Sequence, residues 1–565
     1  MAELSEALRA KILAAQTADG LPPEAPPVPY RNIGELFADR ADTHEGKPFL
    51  VFYSDDGHRR EWTYRDFYEE ACRTANHLAA AGIRRGDRIA TVAHNHPDTV
   101  LQYFGAFLLG AVVVPVNTGE DDRRIAFILE NSGARLAFVR DEYLERIRSL
   151  QARIPGLTTI VRCGAGPGPS LPFFTAEVAR QPARFVPPAT PALADEALIV
   201  YTSGTTGNPK GVVLTQGNLM ADAMAIAEWH QIADDQRMMC VLPIHHVNGT
   251  VVTLMTPLWA GAGVVLNQRF HAHNFFERIS AEKVHIVSVV PTLLQFLLHA
   301  RLAMEAYKLA HFRHVICGAG PLTVELAVKF EQEFGIPIIH GYGLSETTCY
   351  SCFLPLDLDR REHAAWLSKH GFPSIGVPLP VNDMAIHDAE GNALPEGERG
   401  EIVIRGENVM KEYHDNPEAN EQAFAHGWFR SGDEGFFRED DLGRRFFFIT
   451  GRIKELIIRG GVNISPFEID EVLMGIPGVQ AGIAVGFEND WYGEEVGAYV
   501  KLKEGAALTA EQIIAHCGRS LPAAKCPKVV VFGDDVPVTS TGKYQRNRCK
   551  HLFAEWKDTQ FGGKK

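Results

Sequence analysis

The amino-acid sequence predicts an α/β protein with a large N-terminal domain of helix-covered, largely parallel sheets and a small, mobile C-terminal α/β domain. The chain has 565 residues, and single hydrophobic cores rarely grow beyond ~250–300 residues. Apolar runs without in–out alternation, such as residues 110–117, alternate with segments of helical periodicity. This pattern is typical of buried parallel strands joined by helices. After the phenylalanine-rich run at 444–450, a new set of short elements begins.

The first elements follow in chain order. Residues 1–28 end in a proline-rich run and are predicted to form an extended N-terminal arm. Two β-rich runs flank Asp56-Gly57, a dipeptide favoured in tight hairpin turns whose two central positions have positive φ. Helices and apolar strands then alternate in a βαβ pattern: helices at 65–82 and 96–110, and strands at 87–94, 110–117, 135–139, 157–162 and 197–202.

Composition excludes several classes of protein. Hydrophobic residues make up 45% and charged residues 22%, which is ordinary for a globular chain and argues against disorder or a coiled coil. The net charge of -14 gives no support for nucleic-acid binding through a basic face. The first residues do not have the pattern expected of a secretory signal, and nine cysteines are few for this length, so we expect reduced thiols and a cytoplasmic protein.

The stretch between Arg237 and Arg269 contains no charged residue and is the one segment that has to be weighed as a membrane span. Histidine, asparagine, proline and glycine residues interrupt it. We therefore expect a buried helix followed by a core strand. For the whole chain, the predicted division is the arm, a large domain at 29–450, a hinge at 451–453 and a small mobile domain at 454–565.

The strongest chemical signal is the segment 197–219, in which an apolar strand runs into a loop rich in glycine and hydroxyl residues and then reaches a lysine. Glycines turn the backbone N–H groups into one concavity, hydroxyls add donors, and the lysine adds positive charge, so the loop suits a polyphosphate. Its spacing is not that of a Walker P-loop. The predicted phosphate-binding residues are Thr202, Ser203, Gly204, Thr205, Thr206, Gly207 and Lys210.

With this loop, the chain resembles the adenylate-forming superfamily of acyl-CoA synthetases, luciferases and peptide-synthetase adenylation domains. The resemblance spans nearly the whole chain after the arm, and seven motifs occur in order. The six others are VLPIHHVNG (241–249), HGYGLSETT (340–348), GERGEIVIRGENVMKEY (397–413), GWFRSGDEG (427–435), ITGRIKELIIRGGVNISPFEI (449–469) and PVTSTGKYQR (537–546).

The resemblance implies an AMP-forming acid–thiol ligase that uses ATP, Mg2+ and CoA. A carboxylate attacks the α-phosphate of ATP to give acyl-AMP and pyrophosphate, and a thiol then displaces AMP. Glu346 would hold Mg2+ against the phosphates with help from Thr206, and Tyr342 would stack on adenine. Asp433 would accept hydrogen bonds from both ribose hydroxyls, supported by Arg452. The other implied ATP-site residues are Gly318, Ala319, Gly320, Gly341, Gly343 and Ser345, whose glycines would leave room for adenine.

The resemblance also assigns roles near the C-terminus. Lys543 would neutralise charge that develops at the α-phosphate. Lys454 lies at the implied hinge, about which the small domain would rotate between the two half-reactions. Gly460 and Gly461 would allow close passage of the pantetheine arm of CoA. An ordinary β-turn is the alternative interpretation of this glycine pair.

The identity of the carboxylic acid substrate is the least determined part of the predicted function. His246 would lie between the acyl pocket and the phosphates, and the implied pocket lining is Asn248, Val290, Ala319, Gly343 and Cys349. Most of these are small or apolar, which favours a medium-sized monocarboxylate, either aryl or aliphatic. A histidine at 245 or 246, or a basic residue from another segment, would be needed to pair with a second anion.

Two other functions stay open from the sequence. One is an adenylating enzyme that loads a carrier-protein thiol, and the other is a nucleotide-binding sensor without catalysis. Cys349 and Cys352 form a CxxC pair, and His271 and His273 lie close in sequence. Neither pair is accompanied by further metal-ligating residues, so a zinc or redox site is disfavoured. We expect no nucleic-acid partner and no membrane span.

Overall fold

The structure is a computed structural model. It describes residues 4–18, 28–164, 171–202, 208–300, 302–538 and 544–561. The predicted phosphate-loop residues Ser203, Gly204, Thr205, Thr206 and Gly207 lie outside the described residues, and so does Lys543.

The helices are distributed along the whole described chain, and a π-helix at Asn248–Met255 precedes α9. In chain order they are α1 (Glu6–Ala15), α2 (Ile33–Thr43), α3 (Tyr64–Ala80), α4 (Pro97–Leu109), α5 (Asp122–Asn131), α6 (Leu144–Gln151), α7 (Phe174–Ala179), α8 (Gln216–Trp229), α9 (Thr256–Ala260), α10 (Ala272–Glu282), α11 (Pro291–His299), α12 (Val324–Phe334), α13 (Arg360–Ser368), α14 (Pro417–Ala423), α15 (Pro466–Met474) and α16 (Ala510–Ser520).

The strands belong to four sheets. In chain order they are β1 (Pro48–Tyr53), β2 (Arg59–Thr63), β3 (Arg88–Val92), β4 (Val112–Val116), β5 (Leu136–Arg140), β6 (Thr159–Cys163), β7 (Glu196–Thr202), β8 (Lys210–Thr215), β9 (Arg237–Cys240), β10 (Gly263–Asn267), β11 (Ile286–Val289), β12 (His314–Cys317), β13 (Ile338–Tyr342), β14 (Cys352–Phe353), β15 (Val377–Pro378), β16 (Asn382–His387), β17 (Gly400–Gly406), β18 (Glu412–Tyr413), β19 (Phe429–Glu439), β20 (Arg445–Arg452), β21 (Ile457–Arg459), β22 (Val462–Ile464), β23 (Val479–Asn489), β24 (Gly493–Leu502) and β25 (Val529–Phe532).

Two large sheets form the body of the molecule. One has the order β18-β8-β7-β4-β3-β5-β6, and the other has the order β15-β14-β13-β12-β11-β9-β10-β1-β2. Their central neighbours pair in parallel, whereas β2, β8, β14, β15 and β18 add antiparallel edges. Helices α4 and α8 are buried over almost their whole length in a core that includes residues of both sheets. The predicted fold class is confirmed.

The hairpin predicted at Asp56-Gly57 is present, because β1 and β2 pair antiparallel on either side of it. Its turn differs from the predicted one. Gly57 has φ of 85°, but Asp56 does not have a positive φ. The turn therefore needs glycine at only one position.

The N-terminal arm is not extended over residues 6–15, and that part of the prediction is wrong. These residues form α1, whose N-cap Ser5 accepts a hydrogen bond from the N–H of Leu8 at 3.2 Å. Leu8, Ile12 and Ala15 are buried, and their spacing places them on one helix face. The helix contacts β17. The prediction of an extended arm rests on the proline-rich end of the segment, which lies after this short apolar stripe.

Past the two large sheets, the chain forms a four-stranded sheet of order β16-β17-β19-β20 and then a five-stranded sheet in which β22-β21-β24-β23 are neighbours and β25 pairs with β24. The chain leaves the four-stranded sheet at Arg452 and enters the last sheet at Ile457. Two separate apolar cores contain only residues from Ile457 onward. This change of sheet lies just after the predicted hinge at 451–453.

The uncharged stretch between Arg237 and Arg269 forms β9, the π-helix, α9 and β10, as a buried helix followed by a core strand. Within the part of the chain that the structure describes, no helix is long and apolar enough to cross a bilayer. All nine cysteines are buried and free.

Candidate active site

A cavity of about 750 Å³ lies between the large domain and the C-terminal domain. The large domain contributes residues from the ends of β7, β8 and β13 and from β19 and β20. The C-terminal domain contributes Lys454, residues of α15, and the segment that follows residue 543. The polar lining residues that matter most are Thr202, Lys210, Tyr342, Ser345, Glu346, Tyr413, Asp433, Arg452, Lys454, Glu471 and Arg548.

One part of the cavity is built around a buried carboxylate. Asp433 of β19 is 1% exposed and pairs in register with Arg452 of β20. Its Oδ2 accepts a hydrogen bond of 2.7 Å from the hydroxyl of Tyr342, and its Oδ1 lies 3.1 Å from Arg452 Nε. Burial and the nearby Asp433 raise the pKa of Tyr342 well above its usual value, so the phenol stays a donor. The Asp433 carboxylate raises the pKa of Arg452, which therefore stays charged.

Asp433 also has spare acceptor capacity. Its Oδ1 is buried and accepts no well-aligned hydrogen bond from the described residues. A buried polar atom without a partner is costly unless a ligand or water satisfies it. The geometry fits a donor such as a ribose hydroxyl, in agreement with the role that the sequence resemblance implies.

A second part of the cavity contains a carboxylate and two ammonium groups. Glu346 is 9% exposed, and its Oε1 accepts a hydrogen bond of 2.8 Å from the hydroxyl of Tyr413. Lys210 Nζ lies 4.7 Å from the centre of the Tyr413 ring. Burial and the charge of Lys454 lower the pKa of Lys210. Two neighbouring cations that repel each other are a suitable environment for a polyphosphate.

The two strands that flank the predicted phosphate loop in sequence end at this cluster. Strands β7 and β8 pair antiparallel, and Thr202 lies opposite Lys210 at the base of the loop. Glu346 is a single carboxylate, and the described residues hold no cluster of three or more metal-ligating side chains. This suits Mg2+ that arrives on phosphates, because such an ion needs only one or two protein carboxylates.

Three glycines of the predicted ATP site lie where a side chain would overlap neighbouring protein atoms. A Cβ on Gly318 would lie 2.5 Å from the Tyr350 hydroxyl, one on Gly341 would lie 2.3 Å from the Phe353 ring, and one on Gly343 would lie 1.9 Å from the carbonyl oxygen of Cys349. Close packing therefore requires glycine at these positions, Gly341 and Gly343 also line the cavity, and their role of leaving room for adenine stays a prediction. Ala319 and Gly320 line the cavity, and Ala319 has φ of 62°.

The predicted acyl pocket is only partly assembled at the cavity. Ala319 and Gly343 line it, whereas His246, Asn248, Val290 and Cys349 are not among its described lining residues. Asn248 is buried at the start of the π-helix, where its amide accepts from Ser288 Oγ at 2.7 Å and donates to the Tyr350 hydroxyl at 3.2 Å. Its polar groups are thus satisfied in the core. Val290 and Cys349 are buried members of the main apolar core.

Gly460 and Gly461 form the turn between β21 and β22, with φ of 57° and 84°. The N–H of Gly460 donates to the carbonyl of Tyr492 at 2.8 Å. Neither glycine is part of the cavity wall. In this orientation of the domain the pair serves as a hairpin turn, and its role toward CoA stays a prediction.

On the C-terminal side, Lys454 lines the cavity and its neighbour Glu455 lies 3.5 Å from Arg546 Nε. Arg546 is buried and forms a close ion pair with Asp470. Tyr544 and Arg548 also face the cavity, so the chain segment after Lys543 lies at the site.

The sequence analysis does not assign Tyr413 or Glu471 to this cavity. Tyr413 holds Glu346 through its hydroxyl, and it reaches that position because β18 pairs with β8, a long-range contact that the local sequence does not show. Glu471 of α15 accepts hydrogen bonds from the backbone N–H groups of Val324 at 2.8 Å and Glu325 at 3.4 Å. It therefore caps the N-terminus of α12 and ties the C-terminal domain to the large domain.

Comparison with known proteins agrees with this geometry. The family model of the AMP-binding enzyme matches residues 37–414, and that of the AMP-binding enzyme C-terminal domain matches residues 468–543. The chain belongs to this adenylate-forming acyl-CoA synthetase family. The enzyme class predicted from the sequence, an AMP-forming acid–thiol ligase, is confirmed.

Three similar proteins illustrate the range of the family. The sulfoacetate–CoA ligase of Cupriavidus necator is 35% identical over 521 residues, which cover 92% of this chain and 97% of that protein. The feruloyl-CoA synthase of an Amycolatopsis species is 33% identical over 493 residues, covering 87% and 94%. The solved structure of the anthranilate CoA ligase AuaEII with anthranoyl-AMP is 27% identical, has a TM-score of 0.83, and covers 93% of this chain and 98% of that chain.

The glycine contacts predict a difference between two substitutions in the same cavity wall. Gly343→Ala should destabilise the fold by about 1–3 kcal/mol, because its Cβ would overlap the Cys349 carbonyl. Gly320→Ala is the matched control, since its Cβ would lie 3.4 Å from the nearest atom, in Pro291. Thermal unfolding should show a lower Tm for Gly343→Ala alone. Equal Tm values for the two variants would contradict the packing role.

The cap formed by Glu471 predicts that domain docking depends on pH. Burial raises the pKa of Glu471 to about 7, with Glu325 and Asp470 contributing through like charge. An exposed glutamate has a pKa of about 4.3. Between these values the docked domain keeps a proton that the released domain loses, so docking should weaken as pH rises from 5 to 7, by at most about tenfold per unit.

The measurement is energy transfer between dyes on α12 and α16 at pH 5, 6, 7 and 8. In Glu471→Gln, which cannot ionise, the loss of docking between pH 5 and 7 should disappear. Glu504→Gln, at an exposed glutamate of the same domain, should behave like the unchanged protein. A pH profile that Glu471→Gln leaves unaltered would show that another group controls docking.

Proposed function

We propose that this chain is an ATP-dependent carboxylate:CoA ligase that works through an acyl-AMP intermediate. In the first step a carboxylate oxygen attacks the α-phosphorus of ATP, and the bond to pyrophosphate breaks. In the second step the thiol of CoA attacks the acyl carbonyl carbon, and AMP leaves. The observation that carries the proposal is the single cavity that holds Asp433 with Tyr342 and also Glu346 with Lys210.

In the first step, different residues would bind the ribose, the phosphates and Mg2+. Asp433 and Arg452 would fix the ribose, since Asp433 Oδ1 contacts Arg452 Nε as an ion pair at 3.1 Å and accepts no well-aligned hydrogen bond from the described residues. Lys210 and Lys454 would balance the charge of the phosphates. Glu346, with Thr206, would hold the Mg2+ that accompanies ATP, and this ion would neutralise charge on the phosphates. Lys543 would act at the α-phosphate, next to Tyr544 at the cavity wall.

The second step would use a different domain orientation. The chain changes sheets between Arg452 and Ile457, and α15 of the C-terminal domain contacts α12 and β20 of the large domain. Rotation about 451–454 would move Lys543 away and bring another face of the domain to the cavity. The exposed turn at Gly460 and Gly461 is free to form that face, in support of its predicted role toward CoA.

For the acid, we propose a medium-sized monocarboxylate, aryl or aliphatic. Two cations at the cavity wall are already paired, Arg430 with Glu401 at 2.5 Å and Arg452 with Asp433 at 3.1 Å. Lys210 and Lys454 lie in the part of the cavity that is assigned to the phosphates. The apolar lining includes Leu322, Leu326, Phe372 and Ile375. Pairing a second anion in such surroundings would require a cation that these contacts leave free, and Arg548, which donates to the neutral side chain of Gln545 at 3.1 Å, would be that cation. Cytoplasmic localisation remains a prediction.

The proposal predicts a split between half-reactions. Lys543→Ala should slow adenylation, measured as pyrophosphate release, by at least ~10^2-fold, because one electrostatic stabiliser of the transition state is lost. Thioester formation from supplied acyl-AMP and CoA should survive. Lys550→Ala is the control, since Lys550 is an exposed lysine of the same domain paired with Glu494 at 3.2 Å. Equal loss in both half-reactions would remove Lys543 from its assigned role.

The acid class is tested by kcat/KM for pyrophosphate release with matched acids. The panel contains benzoate-like and cinnamate-like acids, C6 to C10 aliphatic acids, a dicarboxylate and a sulfocarboxylate. The last two test the alternative of a second anion, as in the substrate named for the Cupriavidus necator relative. A monocarboxylate should lead. A dianionic acid that wins by more than ~10-fold, about 1.4 kcal/mol, would overturn the apolar-pocket proposal.

A further inference from the structure

We infer that the N-terminal helix α1 positions the magnesium-binding side of the active site, and that Gln16 at its end is the positioning residue. This inference rests on the proposed role of Glu346 toward MgATP. Gln16 itself does not line the cavity. It acts through residues 410–413, a segment that contacts Glu346 at two points.

The helix is firmly seated before it reaches Gln16. Its buried stripe of Leu8, Ile12 and Ala15 packs toward β17 and the turn at 425–427. Gln16 is the C-cap residue, and its backbone N–H donates to the carbonyl of Ile12 at 3.0 Å. The side-chain amide therefore projects from a fixed point.

The amide of Gln16 joins two consecutive carbonyl groups of the distant segment. Its Nε2 donates to the carbonyl oxygen of Met410 at 2.7 Å and to that of Lys411 at 3.2 Å. These contacts link positions 394 and 395 residues apart in the chain. Without the amide, both carbonyls would have to find other partners at a partly buried site.

Residues 410–413 hold Glu346 from both of its ends. The backbone N–H of Met410 donates to the carbonyl of Glu346 at 2.8 Å. The hydroxyl of Tyr413 donates to the carboxylate of Glu346 at 2.8 Å. In addition, the N–H of Lys411 donates to the carbonyl of Val213 in β8, the strand that begins with Lys210. A shift of this segment would therefore move the carboxylate relative to Lys210.

The ribose side of the cavity does not depend on Gln16 in this way. Asp433, Tyr342 and Arg452 bind one another through strands β13, β19 and β20, whereas the side-chain amide of Gln16 donates to Met410 and Lys411, which lie outside these strands. A substitution of Gln16 should therefore weaken the binding of the phosphates and Mg2+ and leave the binding of the nucleoside unchanged. Comparing AMP binding with MgATP binding separates the ribose side of the cavity from the magnesium-binding side.

The test is calorimetric binding of AMP and of ATP with and without Mg2+ to the full chain. Gln16→Glu keeps the shape of the side chain but replaces its donors with an oxygen that repels the two carbonyls. It should weaken MgATP binding by about fivefold, the usual effect of one lost hydrogen bond, and leave AMP binding within twofold. Thr17→Ala is the matched control, because Thr17 Oγ1 bonds only to the carbonyl of Leu13 in its own helix at 2.7 Å.

A double-mutant cycle tests whether Gln16 affects MgATP binding through Tyr413. Tyr413→Phe should weaken MgATP binding in the same selective way, and Gln16→Glu should cost less in the Tyr413→Phe background than in the unchanged protein. Equal weakening of AMP and MgATP, or fully additive effects of the two substitutions, would overturn the inference. So would Gln16→Glu with unaltered MgATP affinity. Wild-type protein that binds MgATP but forms no acyl-AMP from any acid would refute the proposed function and leave this inference standing.

Discussion

The buried carboxylate of Asp433 is the constraint on which the rest of the site depends. It brings together Tyr342 from the nine-stranded sheet and Arg452 from the last strand before the chain enters the C-terminal domain. The Arg452 side chain is 38% exposed, but Asp433 is buried, so removing Arg452 would leave a buried carboxylate without its cation. The pair therefore fixes the ends of two sheets relative to each other. It also fixes the position at which the chain passes from β20 into the C-terminal domain.

The walls of the cavity depend on close approach between backbone segments. Gly318, Gly341 and Gly343 carry no side chain because Tyr350, Phe353 and the carbonyl of Cys349 occupy the adjoining space. Glycine-rich segments in a nucleotide site are easily assigned to the ligand. In this protein, their first role is to let a β-strand end and a following turn pack within a few ångströms of each other, and the resulting wall then presents Tyr342 and Glu346 to the cavity.

Contacts between distant segments complete the site. Tyr413 reaches Glu346 because β18 adds to the edge of the sheet that carries Lys210, and Gln16 supports that edge from the opposite side. Glu471 connects the C-terminal domain to α12 through a helix N-terminus, where the backbone N–H groups are otherwise unsatisfied. Each contact uses one side chain to join segments that are distant in the chain, and the Glu471 contact joins the two domains.

The sequence by itself determined the parallel sheets and the family, because hydrophobic periodicity and short motifs are local properties of the chain. It also predicts a boundary near residue 452 and a set of charged residues for the ATP site, of which Lys210, Glu346, Asp433, Arg452 and Lys454 line one cavity. Tertiary structure alone decided that residues 6–15 form a docked helix, that Asn248 and Cys349 are core residues, and that Tyr413 holds Glu346. These facts depend on which segments meet across hundreds of residues. Whether an asparagine side chain faces a cavity or a core partner depends on the atoms opposite it, and those are brought there only by the packing of the sheets.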